Sequence, residues 1–107
     1  MSSREKARAF FALHETGTFT ITNAWDAGSA KILASHGFKA LATTSGGFAF
    51  GLGRPDALSE VSLAEALGNI AEIAAAVSIP VNADFENGYA DEAPSGGQIL
   101  KMFEAAD

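Results

Sequence analysis

Three times along this chain a short β-branched or apolar run is followed by an amphipathic helical stretch, and this alternation leaves few folds open. An opening helix is predicted over residues 2–16. The expected strands are Thr18–Asn23, Ala40–Thr44 and Ile79–Glu86, with helices starting near Asp26, near Ser62 and over 94–106. Alternating strands and helices of this length favour a parallel sheet joined by crossover helices, hence an α/β fold. No linker or low-complexity stretch divides the chain, so residues 1–107 read as one unit.

Local signals support each element. Ser2 and Glu5, and again Ser62 and Glu65, have the spacing of a helix-starting box in which a hydroxyl and a carboxylate satisfy each other's backbone N–H. Ala7, Phe10, Phe11 and His14 share one helical face, and Gly17 stands where a C-terminal cap belongs. Asp26 is placed to cap a helix whose buried stripe is Ala27, Ala30, Leu33 and Ala34, with Gly37 at its end. Ala40–Thr44 is apolar enough to be buried on both faces. Leu63, Leu67, Ile70, Ala74 and Val77 recur at helical spacing. Between these elements, SGGFAFGLGRPDALSE reads as a long glycine-rich loop, a kind that is usually functional or mobile.

In parallel α/β folds, ligands gather at the carboxyl ends of the strands. The unusual segments of this chain all fall there: NAWD after the first strand, TTSGGFAFGLGRPD after the second, ADFENGY at the end of the third. In a continuous third strand, side-chain alternation puts Asn82, Asp84 and Glu86 on one face. Two carboxylates so placed repel, and either one binds a proton or a cation lies between them. No Lys or Arg occurs between Arg54 and Lys101. A hard divalent ion meets the need, and magnesium accepts a site of few carboxylates plus water. The competing reading is a surface strand entering an Asn87-Gly88 hairpin turn, although YADEAPSGG has no alternating strand to pair back.

Thr44-Ser45-Gly46-Gly47 offers backbone N–H groups that could hold a carboxylate or an oxyanion, or it is simply a flexible loop. Asp56 either reaches a ligand or serves as a turn residue after Pro55. Asp26 reads as a cap before a catalyst, His14 and His36 as structural or surface groups, and Trp25 and the phenylalanines as packing.

The 13 acidic and 7 basic residues give a net charge of -6, which disfavours nucleic acid and anionic membrane as partners. Without cysteine the segment has no disulfide, thiolate site or cysteine nucleophile. The N-terminus lacks the features of a secretory signal and no apolar run approaches a membrane span, so a cytoplasmic protein is expected.

NAWDAGSAKILASHGFKALATTSGG, GLGRPD and PVNADFENGY, in that order, resemble the isocitrate lyase/phosphoenolpyruvate mutase superfamily, most of all its carboxyvinyl-carboxyphosphonate phosphorylmutase-like members. The likeness runs from about Ile21 to Tyr89. It implies the first part of a (β/α)8 TIM barrel that is tetrameric when complete. It also implies Mg2+ and a 2-oxo or 2-hydroxy carboxylate or phosphonate substrate whose C–C or C–P bond is made or broken through a pyruvate enolate. Carried over by position, Asp84 and Glu86 hold the metal, Thr44, Ser45, Gly46 and Asp84 contact substrate, and Asp56 and Asp84 are catalytic. Asp26 matches the aspartate of the first strand-end motif. Glu86 and Asn87 stand where Asp and Thr are frequent, and Ala90 replaces a frequent glycine.

A full barrel needs about 250 residues, so this chain is expected to be part of one and inactive by itself. The alternatives are a barrel segment without turnover, or a different barrel enzyme that binds a phosphorylated ligand at the glycines. The latter finds no lysine suited to it near those edges.

Overall fold

The computed structural model describes residues 2–57 and 60–89. The expected helix over 94–106 and the position of Ala90 lie outside the described residues. Helix α1 spans Ser3–Leu13, β1 Thr22–Ala24, α2 Ala27–Ser35, β2 Leu41–Thr43, α3 Ser45–Gly51, α4 Leu63–Ala76 and β3 Val81–Asn82. The strands form one parallel sheet in the order β1-β2-β3.

The alternation therefore gives the expected parallel sheet, but its strands are shorter than their sequence signals. The ladder register pairs Thr22 with Leu41 and Leu41 with Val81. Extending β1 upstream would need a partner in the Gly37–Lys39 connection, which turns through Gly37 at φ +88°. Residues 18–21 consequently stay outside the ladder. At the other end β2 stops at Thr43 because Thr44 has become the cap of α3, its hydroxyl accepting the Gly47 N–H at 3.1 Å. β3 ends at Asn82 rather than at Glu86, and the register would set Asp84 opposite Thr44, which has left the strand.

Helix α3 occupies the first part of what the glycines suggested was a loop. Each glycine inside a helix costs roughly 1 kcal/mol relative to alanine, so the segment reads as non-helical from propensity. Two of these glycines are needed for close approach. A Cβ at Gly47 would lie 2.7 Å from Thr44 Cγ2, and one at Gly46 would lie 2.9 Å from Asp56 Oδ2.

The caps of the longer helices match their signals. Ser62 and Glu65 form the complete reciprocal box at the start of α4. Asp26 Oδ1 accepts the Ser29 N–H at 2.7 Å, while Ser29 Oγ accepts the Asp26 N–H at 3.1 Å. At α1, Ser2 Oγ accepts the Glu5 N–H at 3.2 Å. His14 and His36 are the C-caps of α1 and α2, and both are exposed, so the histidines are structural, as expected. Gly17, at φ +69°, lies beyond the α1 cap rather than in it.

Helices α2 and α4 pack on one face of the sheet. Ala24, Ala30, Leu41 and Ile73 are fully buried there, with Leu33, Phe38, Ala76, Val77, Ile79 and Val81 packed around them. All three residues of β2 are buried, as a central parallel strand requires. The buried side of α4 is Ala66, Asn69, Ile70 and Ile73, turned from the expected stripe, with Ile70 common to both. The turn accommodates Asn69, whose side-chain amide donates to Trp25 O at 2.9 Å and ties α4 to the end of β1. Lys6 Nζ donates to the carbonyls of Ala74 and Val77 at 3.0 and 2.8 Å. This anchors α1 at the C-terminal end of α4, where a cation suits the helix dipole. Phe11 is not part of the core: it is 71% exposed.

Truncating Ile73 to alanine removes the largest buried side chain that α4 brings to this core, and such changes cost about 2–5 kcal/mol. The expected outcome for Ile73→Ala is a loss of that size in urea unfolding. A change inside about 0.5 kcal/mol, the range of surface substitutions, would contradict the packing described.

Candidate active site

The carboxyl ends of the three strands lie side by side, so the segments that follow them are neighbours although far apart in sequence. Where the β2–β3 ladder stops, side chains take over the link. Thr43, itself buried, accepts the Asp84 N–H on its hydroxyl at 2.8 Å. Asp84 in turn places Oδ2 against Ser45, accepting from the Ser45 hydroxyl at 2.9 Å and from the Ser45 N–H at 3.2 Å. Asp84 and Ser45 are 39 residues apart, and neither sequence pattern signalled the contact.

Glu86 does not share a strand face with Asn82 and Asp84, contrary to the alternation. It sits at φ +48° in a turn that continues to Tyr89 at φ +58°. The turn closes through the Gly88 N–H on Phe85 O at 2.8 Å and the Tyr89 N–H on Asn87 Oδ1 at 3.0 Å. Asn87-Gly88 thus makes the turn its sequence suggests, and no returning strand pairs with it among the described residues. The turn brings the Glu86 backbone back to Asp84: the Glu86 N–H donates to Asp84 Oδ1 at 3.3 Å.

The electrostatics follow from these contacts. Burial pushes the Asp84 carboxyl up, but the N–H and hydroxyl of Ser45 and the N–H of Glu86 outweigh it and hold Asp84 below its ordinary value. Tyr89 is pushed up, first by burial and then by the negative charges of Glu86 and Asp84. Among the described residues no ion pair offsets this charge, because Arg54 is engaged with Glu65.

Asp56 arrives from the α3–α4 connection. Its carboxylate lies over the α-carbon of Gly46, the residue after Ser45. Asp84 and Asp56 therefore meet adjacent residues, Ser45 and Gly46. Thr44 shares this end of the sheet, but its hydroxyl is used as the α3 cap. Asp26 is likewise occupied as the cap of α2. It is held below its ordinary value by the N–H of Ser29 and then by the Ser29 hydroxyl. Trp25 departs from the packing role expected for it, since its side chain is 49% exposed.

The donor set suits magnesium. Asp84 and Glu86 are hard oxygen donors two residues apart, with no ion pair to either among the described residues, and magnesium commonly uses one or two carboxylates with waters completing its octahedron. Among the described residues no group of three or more His, Cys, Asp or Glu side chains is placed to hold a metal. Water or substrate oxygens would therefore make up the remainder of the shell. No helix among the described residues is long and apolar enough to cross a membrane.

Comparison with known proteins agrees with the geometry. A family model, phosphoenolpyruvate phosphomutase, matches residues 10–107. An uncharacterized protein of Mycobacterium tuberculosis is 39% identical over 90 residues, covering 78% of this chain and 32% of the relative. A crystal structure from Burkholderia cenocepacia J2315, assigned as a lyase/mutase, superposes with a TM-score of 0.89 at 43% identity, covering 97% of this chain and 37% of that one. Phosphonopyruvate hydrolase, in complex with oxalate and Mg++, superposes with a TM-score of 0.79 at 30% identity, covering 99% and 36%. The chain thus spans about a third of the length of the relatives it matches.

The Ser45→Ala substitution removes one of the two Ser45 donors to Asp84, so the Asp84 carboxyl is expected to titrate closer to its ordinary value. Because the group is depressed in the folded state, its stabilising contribution is present above the unfolded pKa and is lost as pH falls through the folded one. In Ser45→Ala the contribution is smaller and its loss is complete at a higher pH. Carbon-detected NMR titration of the Asp84 carboxyl checks it, and an unchanged midpoint would show that the Ser45 hydroxyl does not hold Asp84.

Proposed function

Since the chain belongs to the phosphoenolpyruvate phosphomutase family, within the PEP mutase/isocitrate lyase superfamily, we propose that it forms the metal- and carboxylate-binding part of a partial (β/α)8 barrel enzyme. That enzyme is a lyase or mutase that makes or breaks a C–C or C–P bond of a 2-oxo or 2-hydroxy carboxylate. The observation that carries this reading is the convergence of Asp84, Ser45, Gly46 and Asp56 at the ends of β2 and β3.

Asp84 and Glu86 are the residues that would hold magnesium, directly or through water. A bound magnesium ion would act as a Lewis acid toward the negative charge that develops on an enolate oxygen. The chain's own groups supply orientation. Ser45 presents an N–H and a hydroxyl, and Gly46 a backbone N–H with no side chain of its own, as donors for the substrate's carboxylate. In this structure both Ser45 donors are taken by Asp84, so substrate must exchange one carboxylate acceptor for another. That exchange is nearly balanced in hydrogen bonds, because one carboxylate replaces another. Asp56, whose carboxylate lies over Gly46, is the acid assigned here to the reacting carbon or phosphorus.

Oxalate bound with Mg++ in phosphonopyruvate hydrolase supports this reading. Coverage of about a third of the relatives favours a second one, in which the segment binds magnesium and a carboxylate without turning substrate over.

Calorimetric titration of the chain with oxalate tests both. Binding is expected with Mg2+ present and absent after chelation. Asp84→Ala should abolish it, and Glu86→Gln should weaken it about 10- to 100-fold, the usual effect of removing a group that supports a metal site. Binding of equal strength without metal would reject the mechanism. Cleavage of a pyruvate-like substrate by the chain alone would reject the second reading.

A further inference from the structure

We infer that Arg54 is a positioning residue that fixes Asp56 over Gly46 by clamping the α3–α4 connection to the first turn of α4. The role assigned to Asp56 rests on the proposed function, whereas the clamp rests on geometry alone.

Arg54 is held at both ends. Its N–H donates to Ala49 O at 2.9 Å, inside α3. Its guanidinium Nη1 donates to Glu65 Oε1 and Oε2 at 2.8 and 3.0 Å and to Glu60 O at 3.1 Å. Glu65 is itself fixed, because Oε1 also accepts the Ser62 N–H at 3.1 Å in the α4 capping box. One side chain therefore joins α3, the returning connection and α4. Glu65 is held down to about 2, mainly by Arg54 and then by the Ser62 N–H, and Arg54 is raised by the same contact.

Asp56 has no comparable support. Among the described residues no hydrogen bond or ion pair reaches its carboxylate, and its place is set by the backbone and by its contact with Gly46. Between the clamp and Asp56 stands Pro55, whose ring fixes φ. The Ala57 N–H on Pro55 O at 3.1 Å closes a tight turn around Asp56. The arrangement transmits position from a clamped residue through a stiff one to the carboxylate. It also pairs Arg54 with Glu65 rather than with Asp56. Exposed ion pairs contribute little to global stability, and the Arg54 and Glu65 side chains are 38% and 36% exposed. A stabilising purpose therefore does not account for the contact, and a local geometric one does.

The test is NMR of the chain in its parent form and as Arg54→Ala and Glu65→Gln. In the parent, the contact between Gly46 Hα and Asp56 Hβ is expected as a cross-relaxation peak. In Arg54→Ala the peak is lost and the Asp56 side-chain carbon moves toward its free-residue shift. The Ser45 and Asp84 resonances and the melting temperature change little. Should Arg54→Ala unfold, Glu65→Gln, which keeps the shape of the partner and removes its charge, decides by the same peak. Retention of the Gly46–Asp56 peak in a folded variant overturns the inference, as does its loss only together with the Ser45–Asp84 signals. Neither result depends on ligand binding. An intact clamp with no binding of oxalate and Mg2+ would count against the proposed function and leave the clamp standing.

Discussion

The site is assembled by the hydrogen bonds that replace the sheet where its ladder ends. The ladder of the third strand ends at Asn82, and at Asp84 the register would call for Thr44, which caps α3 instead. Two side chains from the second strand's end take over. The Thr43 hydroxyl accepts the Asp84 N–H, and Ser45 donates twice to the Asp84 carboxylate. Without them the acid would be a mobile group on a connecting segment. With them it is fixed at the carboxyl edge of a parallel sheet, beside a helix start and opposite Asp56. An ionised acceptor makes the two Ser45 bonds stronger than neutral ones, and together with the Glu86 N–H they outweigh the burial of Asp84.

The same constraint explains the charge distribution. Asp84 and Asp56 meet the Ser45–Gly46 segment, and the basic residue nearest in sequence to Asp56, Arg54, is held by Glu65. A sheet end that gathers acids and diverts its arginine is suited to a cation. The arginine is diverted structurally: it fastens the start of α4 to the segment that carries Asp56, so the groups that build the scaffold and the groups left for chemistry are kept apart. Asp26 belongs to the scaffold as well, its carboxylate being used at the start of α2.

Much of the architecture is legible in the residues. Ser62 with Glu65 and Asp26 before its helix announce helix starts, because capping is local chemistry that depends on spacing alone. Ala40–Thr44 announces a central strand because it is short, uncharged and without a polar face. The three motifs around Asp26, Asp56 and Asp84 identify the family, since their order and content are specific. Other features are not legible. Helix α3 is hidden because its glycines serve close contacts with Asp56, Thr44 and Trp25 rather than helix propensity. Glu86 is misplaced by alternation because a period of two holds only while a ladder lasts, and the ladder's length depends on what β2 does. The Ser45–Asp84 and Asn69–Trp25 contacts join residues about 40 apart. They follow from strand register, which no local pattern encodes.

The most direct measurement of the central claim is site-resolved line broadening with Mn2+ in place of magnesium. Paramagnetic broadening is expected to be strongest at Asp84, Phe85 and Glu86, to extend to Ser45 and Gly46, and to be reversed by excess Mg2+. Broadening spread evenly over the acidic surface, or centred on carboxylates such as Glu5 or Glu72 away from the strand ends, would contradict the assignment of this edge as the metal site.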